Sequence, residues 1–182
     1  MKTLTSDIIA IKGDTKGIFI IFLAFKYFIS SSGFREVILY RMHYSCRNIV
    51  ILRYILSIFK SWFSRIEIPY SVKIGPGLTI PHPYNIVLAP QCKLGARVTI
   101  YQGVTIGVNF DKTKNGRVAA EIGDDVTICS GAQIIGPVTI GNKVIIGANS
   151  VVTTDISGNT IATGIPAKVI GVYEKRILQN IR

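Results

Sequence analysis

Aliphatic residues recur at six-residue intervals through most of the second half of the chain. Ile68, Ile74, Ile80 and Ile86 open the series, and after a two-residue slip it resumes at Leu94, Ile100 and Ile106. Beyond a polar break it continues at Ile122, Ile128, Ile134, Ile140, Ile146 and Val152. A fixed hexapeptide period predicts a parallel β-helix, in which each rung stacks on the equivalent rung of the coil below. The residue two before a rung is usually small or aliphatic: Val72, Val98, Val104, Val126, Ala132, Val138, Val144 and Ser150. Residues two apart in an extended strand share a face, so both sets point inward. Gly75, Gly95, Gly107, Gly123, Gly141 and Gly147 follow their rungs, where a chain turning a corner needs a compact residue or positive φ.

Residues 1–66 lack this rhythm and contain no proline, and their apolar residues fall at helical spacing. Ile38, Met42, Ile49, Ile55, Leu56, Phe59 and Phe63 are expected to share an inward stripe, with Arg35, Arg41, Arg47, Arg53 and Lys60 mostly turned away. Gly33 is expected to split this region into at least two helices. Pro69 marks entry to the β-helix, whose domain spans 67–164. The tail, 165–182, reads as a short strand followed by a helix. Residues 108–120 (VNFDKTKNGRVAA) interrupt the ladder as a polar, basic excursion loop. Solenoids carry such insertions on one face, often the binding face.

Charge changes the picture mainly at the N-terminal end. The chain carries 21 Lys and Arg against 10 Asp and Glu. Ten of those cations lie in 1–66 beside three acids, Asp7, Asp14 and Glu36. This basic, aromatic-rich region suits an anionic membrane face or an acidic glycan, or simply a trimer-packing cap. Gly17 to Ile29 is apolar but too short to span a bilayer, and no signal peptide is expected. Three scattered cysteines and two histidines indicate neither a disulfide framework nor a metal site. No nucleic-acid-binding motif accompanies the charge. A reduced cytoplasmic setting, with possible contact at the inner membrane face, is the expectation.

Because side chains fill the prism, chemistry must lie on its outer faces, on loops or between subunits. His82 sits in Ile80-Pro81-His82-Pro83-Tyr84, where two prolines fix the backbone and aim the imidazole. That arrangement suits a positioned general base. Glu67 lies fifteen residues upstream, close to one coil of eighteen, so its carboxylate is expected near the same corner, where it can orient the ring. His43 is expected to pack or be solvated, and Cys92 and Cys129 to pack.

Residues 33–171 resemble the serine acetyltransferase branch of the hexapeptide-repeat acyltransferases. The segments that carry the likeness are GFREVILYR, IEIPYSVKIGPGLTIPHPYNIVL, the slip before Leu94, IGDDVTICSGAQIIGPVTIGNKVIIGANSVVTTDI and ATGIPAKVIG. The resemblance implies a left-handed winding and a homotrimer whose active sites lie in clefts between prisms. It also implies acetyl-CoA as co-substrate with no metal, and His82 as base beside Glu67. By family position Ser130, Ala148 and Thr153 line the cofactor channel, and Lys168 meets the nucleotide phosphates. Two features depart from the family. Proline stands at Pro69 where an active-site histidine is usual, and Arg117-Val118-Ala119-Ala120 replaces an Arg-His-Pro-Lys segment. These departures point the expectation toward O-acetylation of a sugar hydroxyl in a capsular, exopolysaccharide or O-antigen saccharide. Serine O-acetylation is the alternative, and a non-catalytic β-helix adaptor a third reading.

Overall fold

A computed structural model describes Asp7 and residues 19–173. Three helices, α1 (Phe19–Ser30), α2 (Ser32–Ser45) and α3 (Val50–Phe63), precede a stack of short strands. The strands form three sheets. The first contains β1 (Lys73–Ile74), β3 (Lys93–Leu94), β6 (Glu121–Ile122) and β9 (Thr139–Ile140). The second contains β4 (Thr99–Ile100), β7 (Thr127–Ile128), β10 (Ile145–Ile146), β12 (Thr160–Gly164) and β13 (Ala167–Val172). The third contains β2 (Val87–Leu88), β5 (Thr105–Gly107), β8 (Gln133–Ile135) and β11 (Val151–Val152). Neighbours within each sheet are parallel, except β12 and β13, which pair antiparallel as a hairpin. The chain is therefore a parallel β-helix of three faces.

The rungs are where the periodicity puts them. Ile100, Ile106, Ile128, Ile134 and Ile146 are fully buried, and so are Val98, Val104, Val126 and Val144 two residues earlier. Each buried aliphatic side chain contributes about 1.5–3 kcal/mol of transfer free energy. Five of the six glycines after the rungs, all but Gly107, owe their place to crowding rather than to φ. A Cβ on Gly95 would lie 2.6 Å from the carbonyl carbon of Gly123, and one on Gly75 would lie 2.6 Å from Gly95. Positive φ falls instead three residues before a rung, at Gly77, Arg97, Gly103, Asp125, Gly131, Lys143 and Asn149.

Strand register relocates the slip. Lys73 pairs with Lys93 and Thr79 with Thr99, an advance of 20 residues, whereas Val87 pairs with Thr105, an advance of 18. The two extra residues therefore lie between Thr79 and Val87, and not between Ile86 and Leu94 as the sequence reading had it. Leu88 is the rung, paired with Ile106, and Ile86 is the buried residue two before it. The excursion is also shorter than expected. Thr105 pairs with Gln133, an advance of 28, so ten residues are looped out. Asn109 N–H donates to the Val118 carbonyl at 3.1 Å and closes the loop's neck, while Ala119 and Ala120 are already buried in the core.

The helical region departs further. Gly33 does not break a helix; it lies inside α2, and the break falls at Ser31, whose side chain caps α2 by accepting from Phe34 N–H. A Cβ at Gly33 would sit 1.8 Å from the Ile80 carbonyl oxygen, so the glycine permits close contact between helix and prism. Most of the expected inward stripe faces solvent, with Ile38 and Leu56 half-buried and the side chain of Phe63 outside the described residues. Met42, Ile49, Ile55 and Phe59 are exposed, while Phe34, Val37, Leu39 and Tyr40 are buried. Arg41 points inward, pairing with buried Asp7 at 2.9 Å and donating to the carbonyls of Ile74 and Gly75. Lys60 also turns inward and donates to the Ile68 carbonyl at 2.5 Å. The tail's strand is β13; the helix expected after it lies outside the described residues.

Candidate active site

One corner of the prism collects most of the candidate residues. Pro81 follows Thr79–Ile80 and stacks beneath Tyr101. Tyr84 stacks beneath Gln102, since Gly103 N–H donates to the Tyr84 carbonyl at 2.9 Å. Between those two fixed points the lower coil carries two residues that the upper coil lacks, and they are His82 and Pro83. The stack thus extrudes this dipeptide: Pro83 is buried as an anchor and His82 projects into solvent. The imidazole lies 6.3 Å, centroid to centroid, from the Tyr101 ring. The Arg65 guanidinium covers Tyr84 at 5.2 Å, and Asn85 N–H donates to the Arg65 carbonyl at 3.1 Å.

The same corner rises through the coils. Gly131 N–H donates to the Gln102 carbonyl and Asn149 N–H to the Ser130 carbonyl, each at 2.9 Å. Gln102, Ser130 and Ala148 therefore form one column above Tyr84. Lys168 stands at its upper end, paired with Thr163 across the β12–β13 hairpin. Its side chain is exposed and has no carboxylate partner among the described residues. Thr153 is separated from the others. It follows β11 on another corner, in a cleft of about 900 Å³ between the excursion loop and the Ile135–Val138 segment. Lys114 of the loop pairs with Asp155 across that cleft, and Arg117 pairs with Glu121 at 3.1 Å.

Glu67 sits elsewhere than the eighteen-residue estimate implied. It is bridged to Val87, with Leu88 N–H donating to its carbonyl at 2.9 Å, because this coil holds 20 residues. Its strand thus runs beneath the segment just past His82, and no hydrogen bond joins the two side chains. The other ionisable candidates are structural. His43 is buried against Ser57 at 3.1 Å, and burial, with Lys60 and Arg53 nearby, lowers its pKa. Burial pushes the Cys92 thiol up to about 12 and raises that of Cys129, which suits neither as a nucleophile. Among the described residues no group of three or more His, Cys, Asp or Glu is placed to hold a metal ion. Tyr101 and Arg65 were missed from the sequence. Correct placement of the slip would have found Tyr101, which lies one 20-residue coil above Pro81.

Residues 119–154 match the family described as bacterial transferase hexapeptide (six repeats). A serine acetyltransferase of Staphylococcus epidermidis is 40% identical over 134 residues, covering 74% of this chain and 62% of the relative. The crystal structure of Neisseria gonorrhoeae serine acetyltransferase superposes with a TM-score of 0.78 at 26% identity, covering the whole of this chain and 70% of that one. The same gonococcal enzyme in complex with serine gives a TM-score of 0.76. The chain thus spans about three-fifths of the Staphylococcus relative's length, 62%. These matches overturn the expectation of a saccharide acceptor and of a role in polysaccharide synthesis. The replaced histidine positions, Pro69 and the 117–120 segment, are local changes on a chain whose wider identity lies with relatives named for serine.

Proposed function

We propose that this chain, which matches the hexapeptide transferase family over residues 119–154 and is 40% identical to a serine acetyltransferase over 134 residues, is an acetyl-CoA-dependent serine O-acetyltransferase. It works as a homotrimer of left-handed prisms, with His82 as general base. The observation that carries this reading is the extruded His82–Pro83 dipeptide, on a chain 40% identical to a serine acetyltransferase. Two residues beyond the eighteen-residue coil lift one imidazole out of the ladder, at the foot of the corner that carries Gln102, Ser130 and Ala148.

The residues present fit a nucleotide thioester. Ser130 and Ala148 leave the corner's backbone open, and the exposed Lys168 ammonium, without a carboxylate partner among the described residues, offers a point charge to phosphate. Acetyl-CoA supplies the acetyl group in activated form. His82 accepts the proton of the acceptor hydroxyl as that oxygen bonds to the acyl carbon, and returns it to the departing thiolate sulfur. Glu67, one coil below and without a bond to the ring, adds a carboxylate beside the segment just past His82. Thr153 and the excursion loop lie on a second corner, so a neighbouring prism brings them to the His82 column and completes the cleft.

The test is release of CoA thiol with L-serine as sole acceptor. His82→Ala is expected to lower turnover by about 10²–10⁴-fold, with acetyl-CoA binding, read by calorimetry, unchanged. No thiol release by the wild-type protein with L-serine removes the acceptor assignment. An active His82→Ala enzyme removes the base.

A further inference from the structure

Helix α3 is built inside out. Its half-buried positions include Arg53, over the Tyr70 ring at 5.1 Å, and Lys60, bonded to the Ile68 carbonyl. Its outward positions are Val50, Ile51, Leu52, Tyr54, Ile55, Ile58, Phe59 and Trp62, with Ile51 76% and Trp62 81% exposed. Phe25 and Ile29 of α1 are exposed as well, at 65% and 64%. A helix whose two cations turn toward the protein, while most of its apolar residues face water, is arranged for an apolar partner.

Charge selects that partner. Between Phe19 and Arg65 the sequence has seven Lys and Arg and one carboxylate, Glu36. Glu36 is buried and accepts from Ser64 Oγ at 2.7 Å, so it presents nothing outward. Arg47 and Arg65 flank the two ends of α3, and both are exposed. Glu67, exposed just beyond Arg65, acts on Lys60, yet a second copy laid on this face would still bring together more cations than acids. An anionic bilayer supplies both a hydrocarbon layer for the helix face and phosphates for the flanking guanidinium groups. Trp62 and Tyr54, apolar rings with polar tips, suit the headgroup depth. Among the described residues no helix is long and apolar enough to cross a membrane. Fourteen residues lying flat cover about 21 Å.

We propose that α3 is an in-plane docking helix through which the protein binds the surface of an anionic lipid bilayer. The proposal stands whichever acceptor the enzyme uses. The full chain is to be sedimented with vesicles of equal parts phosphatidylglycerol and phosphatidylcholine, and with vesicles of phosphatidylcholine alone. Partition onto the anionic vesicles is expected to be greater and to fall as salt rises. The double variant Ile55→Glu, Ile58→Glu, at positions already in water, is expected to weaken it roughly tenfold or more. Its folding is checked by circular dichroism and its thiol release with a soluble acceptor. Equal partition onto the two vesicle types by the wild-type chain overturns the proposal without any variant. So does unchanged partition by the double variant, or a drop in its particle mass in vesicle-free buffer, which would assign the face to a second copy.

Discussion

The prism and the helices in front of it bury their residues by opposite means. In the prism, position alone decides: every sixth residue and the one two before it go inside, and each coil repeats the instruction. In the helices a few polar anchors decide. Arg41 reaches past Tyr40 to Asp7 and to two carbonyls of the first coil, Tyr40 donates to the Val72 carbonyl at 2.7 Å, and Glu36 receives Ser64. The orientation of α2 and α3 follows from those bonds, and the apolar residues take whichever side remains. A hydrophobic stripe is therefore a reliable guide to burial in a repeat, and a poor one in a helix tethered by buried polar groups.

Three experiments probe this contrast, the largest effect first. Arg41→Ala leaves Asp7, which is 0% exposed, without its cation. The loss of a buried partner is expected to cost about 3–5 kcal/mol. Urea unfolding should show it, with amide exchange rising first in α2 and around Gly77 and Leu78, whose N–H groups bond Asp7 at 2.7 and 3.0 Å. A cost below 1 kcal/mol would mean that apolar packing, and not the anchor, sets the helix. Ile128→Ala removes an inner rung of the second sheet, between those of β4 and β10, and is expected to cost about 2–5 kcal/mol. The loss should spread to the paired Ile100 and Ile146, and exchange confined to one coil would contradict stacking as the source of stability.

The smallest effect is on the excursion loop. Hydrogen bonds from Lys114 and from Thr139 N–H hold the Asp155 carboxyl below its usual range, and the Lys93 bond does the same for Glu121. Groups with a depressed folded pKa stabilise at pH above the unfolded value, about 4, and that contribution is lost as pH falls through the folded value. Amides of 109–118 should therefore lose protection below about pH 4 while the rungs keep theirs. The pairs are exposed, so the change is small.

Much of the prism was legible because stacked coils tolerate no drift in register. The slip was misplaced for a physical reason. Ile86 and Leu88 are two apart on one face and both buried, so either satisfies the six-residue count. Only strand pairing separates them, and with it the identity of His82–Pro83 as the extra residues. Glu67 was displaced by the same two residues. The prolines beside His82 were visible, but their consequence needed the coil above. In the helices, neither the Arg41–Asp7 pair, 34 residues apart, nor the contact of Gly33 with Ile80 leaves a local pattern to read.

The hairpin at the upper end has a consequence for the molecule as a whole. A ladder of identical strands invites addition of one more, from the same chain or another. Here β13 reverses direction against β12, and its register shifts between Ile161 and Ala162. An incoming parallel coil finds the second face already occupied by a strand of the wrong polarity, so the stack is finite by construction and guarded against growing into a fibre.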